Sequence, residues 1–140
     1  MIHYLEAAEV IAIQEKMIDY FGGEYGLRGD QGLALVESAV ARPRNKAVYE
    51  GADLLAQAAA LFYGLAKNHG FVDGNKRIAV AATNTFLLMN GYELTCDNDT
   101  LVEFTLGCGD EGWTEERVEE FARQWARPGE SDFSLKEARS

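Results

Sequence analysis

The stretch from Leu54 to Asn90 decides the fold: LLAQAAALFYGLAKN (54–68), HGFVDG (69–74) and NKRIAVAATNTFLLMN (75–90). Asp53 opens the stretch, and Leu54, Leu55, Ala58, Ala59, Phe62, Leu65 and Ala66 recur in it with a helical period. From Asn75 to Asn90 the chain is apolar almost all round, through Ile78, Ala79, Val80, Ala81, Ala82 and Phe86 to Met89. A helix without a polar face is buried by its neighbours, and Gly91 marks its end. The spacing therefore predicts an all-α protein built on two central buried helices, 54–68 and 75–90, joined by a very short loop.

Outward from this pair the elements are shorter. Leu5 to Phe21 carries Val10, Ile11, Ile13, Met17 and Ile18 in helical recurrence and stops at Gly22-Gly23. Asp30 is placed to cap a helix over Gln31 to Ala41, which Pro43 is expected to end, because a proline pushes the residue before it out of the α region. Arg42 to Gly51 holds Arg42, Arg44 and Lys46 against one acid, Glu50, and reads as a basic loop or short β-hairpin. Tyr92 to Thr95 reads as a short strand with Ile2 to Leu5 as its partner. Asp99 to Leu106 reads as a short helix with Thr100 and Glu103 at capping-box spacing. Thr114 to Ala126 is the last helix, with Val118, Phe121, Ala122 and Trp125 facing inward, and Pro128-Gly129 breaks it. These readings give one all-α domain and a flexible tail over 127–140.

Composition narrows the function classes. Thirteen Lys and Arg against 23 Asp and Glu leave a net charge of −10 over 140 residues. That balance argues against direct binding to nucleic acid or an anionic membrane. No apolar run approaches the length of a membrane span, and the N-terminus shows no basic n-region and no h-region. Cys96 and Cys108 have no spacing suited to a metal site or a disulfide framework. A cytoplasmic, reduced protein is expected.

The chemistry is concentrated in the loop. His69-Gly70-Phe71-Val72-Asp73-Gly74-Asn75-Lys76-Arg77 ends one helix and begins another, so the first free amides of the second helix point into it. Those amides and the helix dipole form an anion site, which Gly74 opens to close approach. Lys76 and Arg77 in the first turn sit at the wrong end of the dipole unless an anion binds there. Asp73 supplies a hard oxygen of the kind that holds Mg²⁺ together with substrate phosphates. His69 is placed to take a proton from a hydroxyl. Singly, each residue has a plainer reading: His69 as a helix C-cap, Asp73-Gly74 as a turn or as the next helix's cap, Lys76 and Arg77 as a solvated pair. Phe71 reads as a core anchor for the loop. The combination is what points to phosphate chemistry.

The pattern H-x-F-x-D-G-N-K-R resembles the motif of the death-on-curing (Doc) toxins, a branch of the Fic, or Fido, superfamily. Gly26-Leu27-Arg28, Glu37-Ser38-Ala39, Ala41-Arg42-Pro43, Asn68-His69, and Phe86-Leu87 through Asn90-Gly91-Tyr92 are similar to that branch as well. The resemblance thus covers roughly residues 3 to 126. Fic adenylyltransferases carry H-x-F-x-x-G-N-G-R-x-x-R; here Lys76 replaces the second glycine and Val80 the final arginine, both on the Doc side. Gly70 stands where a proline is commoner, which is expected to loosen the loop slightly. No S/T-x-x-x-E-G/N inhibitory segment is found: Gly107 precedes Glu111-Gly112, and Lys46 precedes Glu50-Gly51.

The resemblance implies a Fido-type helical domain with a short β-hairpin flap at Arg42 to Gly51 that pairs with the target by adding a strand. It implies a kinase that transfers the γ-phosphate of Mg-ATP to a hydroxyl of a translation factor, elongation factor Tu in this family. His69 would be the general base, and Asp73 would bind Mg²⁺ and orient the acceptor. Gly74 and Asn75 would line the anion hole, and Lys76 and Arg77 would neutralise phosphate charge. The runner-up is a nucleotidyltransferase on the same scaffold, and the third reading is a relic that binds nucleotide without turnover. A toxin without its own brake implies an antitoxin of the Phd type. The first helix and the last helix, with Glu115, Glu116, Glu119 and Glu120, are candidate surfaces for it.

Overall fold

A computed structural model describes residues 1–108 and 114–129. Its elements are α1 (Ala7–Phe21), a 3-10 turn (Gly29–Gln31), α2 (Gly32–Glu50), α3 (Leu54–Asn68), α4 (Asn75–Met89), β1 (Tyr92–Leu94), α5 (Asn98–Cys108), α6 (Glu115–Trp125) and β2 (Ala126–Pro128). The all-α architecture is as expected. α3 is its hub, packed against α2, α4 and α6, while α1 lies on α4. Asp53 caps α3, with Oδ1 accepting the Ala56 N–H at 3.0 Å. Ten of the fifteen residues of α3 are buried, Ala56 to Phe62 without a break. α4 buries Ile78, Ala79, Ala82, Phe86 and Leu87, but Leu88 and Met89 are 50% and 38% exposed. Of the two central helices, α3 is therefore the more completely enclosed.

Three local expectations are corrected. Pro43 does not end α2, which runs on to Glu50, so the hairpin flap expected at Arg42 to Gly51 is helical. An interior proline costs a helix about 3 kcal/mol. Tertiary packing offsets it, because Gly32, Val36, Ala39 and Pro43 form one buried stripe at helical spacing. The helix ends instead at Gly51, in the left-handed conformation, whose N–H bonds the Ala47 carbonyl at 3.0 Å. With its backbone groups bonded along the helix, this segment offers no edge for strand addition.

Secondly, β1 pairs with β2 and not with Ile2 to Leu5, in the antiparallel register Tyr92↔Pro128, Glu93↔Arg127, Leu94↔Ala126. The N-terminal segment is tied by a side chain: the Asn90 amide accepts the His3 N–H at 2.8 Å and donates to the His3 carbonyl at 2.9 Å. Arg127 and Pro128, assigned to the tail by sequence, are thus strand residues; residues 130–140 of that tail lie outside the described residues. Thirdly, the helix starts differ. Asp30 lies inside the 3-10 turn and Gln31 is the N-cap of α2. Asp97 caps α5, its Oδ1 accepting the Thr100 N–H at 2.7 Å.

α6 closes over α3. Val118 and Ala122 are buried, and Phe121 stacks on Phe104 with ring centroids 4.0 Å apart. Glu115 pairs with both Arg42 and Lys46 of α2. Arg123 clamps Asp53 with two hydrogen bonds of 3.0 and 2.9 Å, which hold the Asp53 carboxyl below its ordinary range. Two of the four acids proposed for an antitoxin surface, Glu115 and Glu119, are engaged in these intramolecular pairs, Glu119 with Arg123.

Asp53 thus caps one helix and anchors another. Asp53→Ala should lower stability by about 1 kcal/mol through the lost cap, whereas Asp53→Asn keeps a cap and should cost less. A carboxyl depressed in the folded state contributes stability above its unfolded pKa and loses it as pH falls through the folded one. The gap between wild type and Asp53→Asn should therefore be present at pH 7 and close below about pH 4. Denaturant unfolding at the two pH values checks it, and a gap that persists in acid would contradict it.

Candidate active site

The loop between α3 and α4 is held from both sides. Phe71 is 2% exposed and fills the core beneath it. The Asn75 side chain reaches back to the same residue, Oδ1 accepting the Phe71 N–H at 3.1 Å and Nδ2 donating to the Phe71 carbonyl at 2.9 Å. Opposite, Leu27 forms an antiparallel bridge to Phe71. Arg28 N–H donates to the Gly70 carbonyl at 2.8 Å, and Val72 N–H to the Gly26 carbonyl at 3.1 Å. Gly70 does not loosen this arrangement as expected. It is buried, and a Cβ added there would lie 2.8 Å from Val36 Cγ2. Gly32 is as tight, its added Cβ falling 2.7 Å from the Gly70 carbonyl oxygen. Two glycines let α2 and the loop touch backbone to backbone.

His69 follows α3 as its C-cap, exposed and left-handed at φ 52° and ψ 47°. It is the one non-glycine residue with positive φ among the described residues. Glycine normally takes this position, so an imidazole there is held at a conformational cost. Asp73 is exposed and does not cap α4, whose N-cap is Gly74. Asp73 Oδ2 instead accepts the Glu24 N–H at 3.2 Å. The N-cap of α4 is Gly74, left-handed at φ 78°, with no side-chain cap. The amides of Asn75, Lys76 and Arg77 therefore have no intrahelical partner, and no side chain caps the start of the helix.

The first turn of α4 contains no acid and two cations. Lys76 Nζ lies 3.5 Å from the Leu106 carbonyl near the end of α5, and the Arg77 guanidinium lies over the Phe21 ring, 5.3 Å from its centroid. By contrast α1 and α6 carry Glu9 and Glu115-Glu116 in their first turns, as helix dipoles favour. The six residues singled out by sequence, His69, Asp73, Gly74, Asn75, Lys76 and Arg77, thus share one short loop and helix start. Asn75 alone has a role the sequence did not suggest, as a staple across the loop.

No group of three or more His, Cys, Asp and Glu suited to a metal cage exists among the described residues. A single carboxylate beside an anion site fits a cation that shares its coordination with phosphate oxygens. Sequence reasoning missed the groups behind Asp73. Gly23 has φ 118°, and a Cβ there would come within 2.4 Å of Asp73 Oδ2. The Gly22-Gly23 pair was legible only as a helix stop. Of the inhibitory-segment positions, Glu111-Gly112 lie outside the described residues. No helix among the described residues is long and apolar enough to cross a membrane.

Comparison with known proteins places the chain in a family. A family model described as the Fic/DOC family matches residues 4–87, from α1 through most of α4. The chain is 45% identical over 103 residues to "Toxin Doc" of Mycolicibacterium smegmatis, covering 71% of this chain and 73% of that protein. It is 31% identical over 107 residues to "Protein kinase doc" of Escherichia phage P1, covering 76% of this chain and 82% of that one. The matched region contains the whole loop and both helices that position it. The chain belongs to the Fic/DOC family, on its Doc branch.

Proposed function

We propose that this protein is the toxin of a toxin–antitoxin module, acting in the cytoplasm as a protein kinase on a Thr or Ser hydroxyl of a translation factor such as elongation factor Tu. The observation that carries the reading is the start of α4: an uncapped helix N-terminus bearing Lys76 and Arg77, with Asp73 and a left-handed His69 at its mouth. The names of the two relatives, a toxin and a protein kinase, support the same reading.

ATP is the proposed co-substrate. Gly74 and the amides of Asn75 to Arg77 receive its phosphates, and Lys76 and Arg77 offset their charge. Stacking on Phe21 restricts where the Arg77 guanidinium can go. Asp73 is the residue that would hold Mg²⁺, which would supply charge neutralisation for the transferring group. His69 takes the proton of the acceptor hydroxyl. The hydroxyl oxygen bonds to the γ-phosphorus as that phosphorus parts from the β,γ-bridging oxygen. The products are the phosphorylated protein, ADP and a proton carried by the imidazole. An antitoxin of the Phd type, supplied by a second chain, is the proposed brake.

Two variants test the roles of single residues. His69→Ala should lower transfer by about 10²–10⁴. His69→Gly should do the same while leaving the fold at least as stable as wild type, because glycine takes the left-handed cap without strain. Initial rates and thermal midpoints check both, and near-full transfer without the imidazole would remove His69 from the mechanism.

Lys76→Gly recreates the G-N-G arrangement of the adenylylating enzymes, at a helix cost of about 1 kcal/mol. Kinase transfer should fall sharply and a weak AMP transfer should emerge, stronger when Val80→Arg is added. Mass spectrometry of the target distinguishes phosphate from AMP. Undiminished phosphate transfer would show that Lys76 does not set the orientation of the nucleotide.

A further inference from the structure

Gln14 is a polar residue in the buried stripe of α1, between Val10 and Ile18, and is 1% exposed. Burying a carboxamide there is unfavourable unless both its ends are bonded. Both are, and to the same loop. Nε2 donates to the Glu24 carbonyl at 3.0 Å, and Oε1 accepts the Gly26 N–H at 3.3 Å.

The two residues so held are among those that hold the loop between α3 and α4. Glu24 gives its carbonyl to Gln14 and its N–H to Asp73 Oδ2. Gly26 gives its N–H to Gln14, and its carbonyl accepts the Val72 N–H. The segment between α1 and α2 has little stiffness of its own, since Gly22, Gly23 and Gly26 all sit at positive φ. Gly23 leaves open the place beside Asp73 Oδ2 that any side chain would occupy. The position of the Asp73 carboxylate is therefore set from α1, through one buried amide and two peptide units.

We propose that Gln14 is a positioning residue for the transfer reaction: its carboxamide clamps Glu24 and Gly26, and through them fixes the Asp73 carboxylate and Val72 beside the start of α4. This rests on the reading of Asp73 as the group that holds the metal and orients the acceptor. An apolar side chain of the same length would fill the space equally well and would hold nothing.

Gln14→Met in the full chain tests it, since methionine matches the length and volume and makes neither hydrogen bond. Amide hydrogen exchange, measured without nucleotide or metal, should quicken at least about tenfold at Glu24, Gly26 and Val72 and stay unchanged in the middle of α3. With ATP and a protein acceptor, the Mg²⁺ concentration for half-maximal rate should rise about 10- to 100-fold, the usual range when the partner of a metal-holding group is lost. The KM for ATP at saturating Mg²⁺ should stay within about twofold, because the anion site of α4 is untouched.

Should Gln14→Met fail to fold, Gln14→Glu supplies the comparison, because it keeps the acceptor for Gly26 and loses the donor to Glu24. Unchanged exchange at Val72 and Glu24, or a lower rate with unchanged Mg²⁺ dependence, would overturn the proposal. The exchange result stands whether or not the kinase reading does, and full activity in His69→Ala would sink only the latter.

Discussion

The seating of Phe71 is the constraint on which the site depends. Its ring is buried in the core while its peptide groups are bonded by the Asn75 side chain. Leu27 pairs alongside it. With that one residue fixed, the two before it and the two after it have almost no freedom. His69 must turn left-handed to leave α3, and Gly70 must be a glycine to pass Val36 and Gly32. Asp73 emerges on the side of Glu24, and Gly74 turns left-handed to start α4. Core packing and active-site geometry are the same interaction seen from two sides.

Charge is distributed with a local reversal that net charge conceals. A chain with a formal charge of −10 is a poor host for a polyanion on average. Yet α4 begins with two cations and no acid, where α1 and α6 begin with glutamates. The acids of α6 are partly engaged with Arg42, Lys46 and Arg123. The start of α4 thus sets two cations against the positive end of a helix dipole, an arrangement favourable only with an anion bound.

The sequence was most legible where local and global signals agree. α3 over 54–68 and the start of α4 at Asn75 follow from periodicity alone, as does the gathering of six site residues on one loop. It was least legible where distant contacts decide. Pro43 carries a strong local signal to stop, yet the buried stripe from Gly32 to Pro43 outweighs it. β1 is too short to specify a partner, and Asn90 occupies the place expected of strand pairing by bonding His3. Asp73 and Asn75 read as a metal-holding carboxylate and an anion-hole residue; only the fold reveals that one is held by Glu24 and the other staples Phe71. A lone glutamine in an apolar stripe was the available sign of the support behind them.

In the proposed reaction α4 presents the terminal phosphate of ATP to His69. The most direct measurement is transfer of label to a purified target from ATP carrying the isotope on either the γ- or the α-phosphorus. Label from the γ-position alone, dependent on Mg²⁺ and lost in His69→Ala, is the expected result. Label arriving from the α-position would contradict the account, as would no transfer from either to any translation-factor hydroxyl.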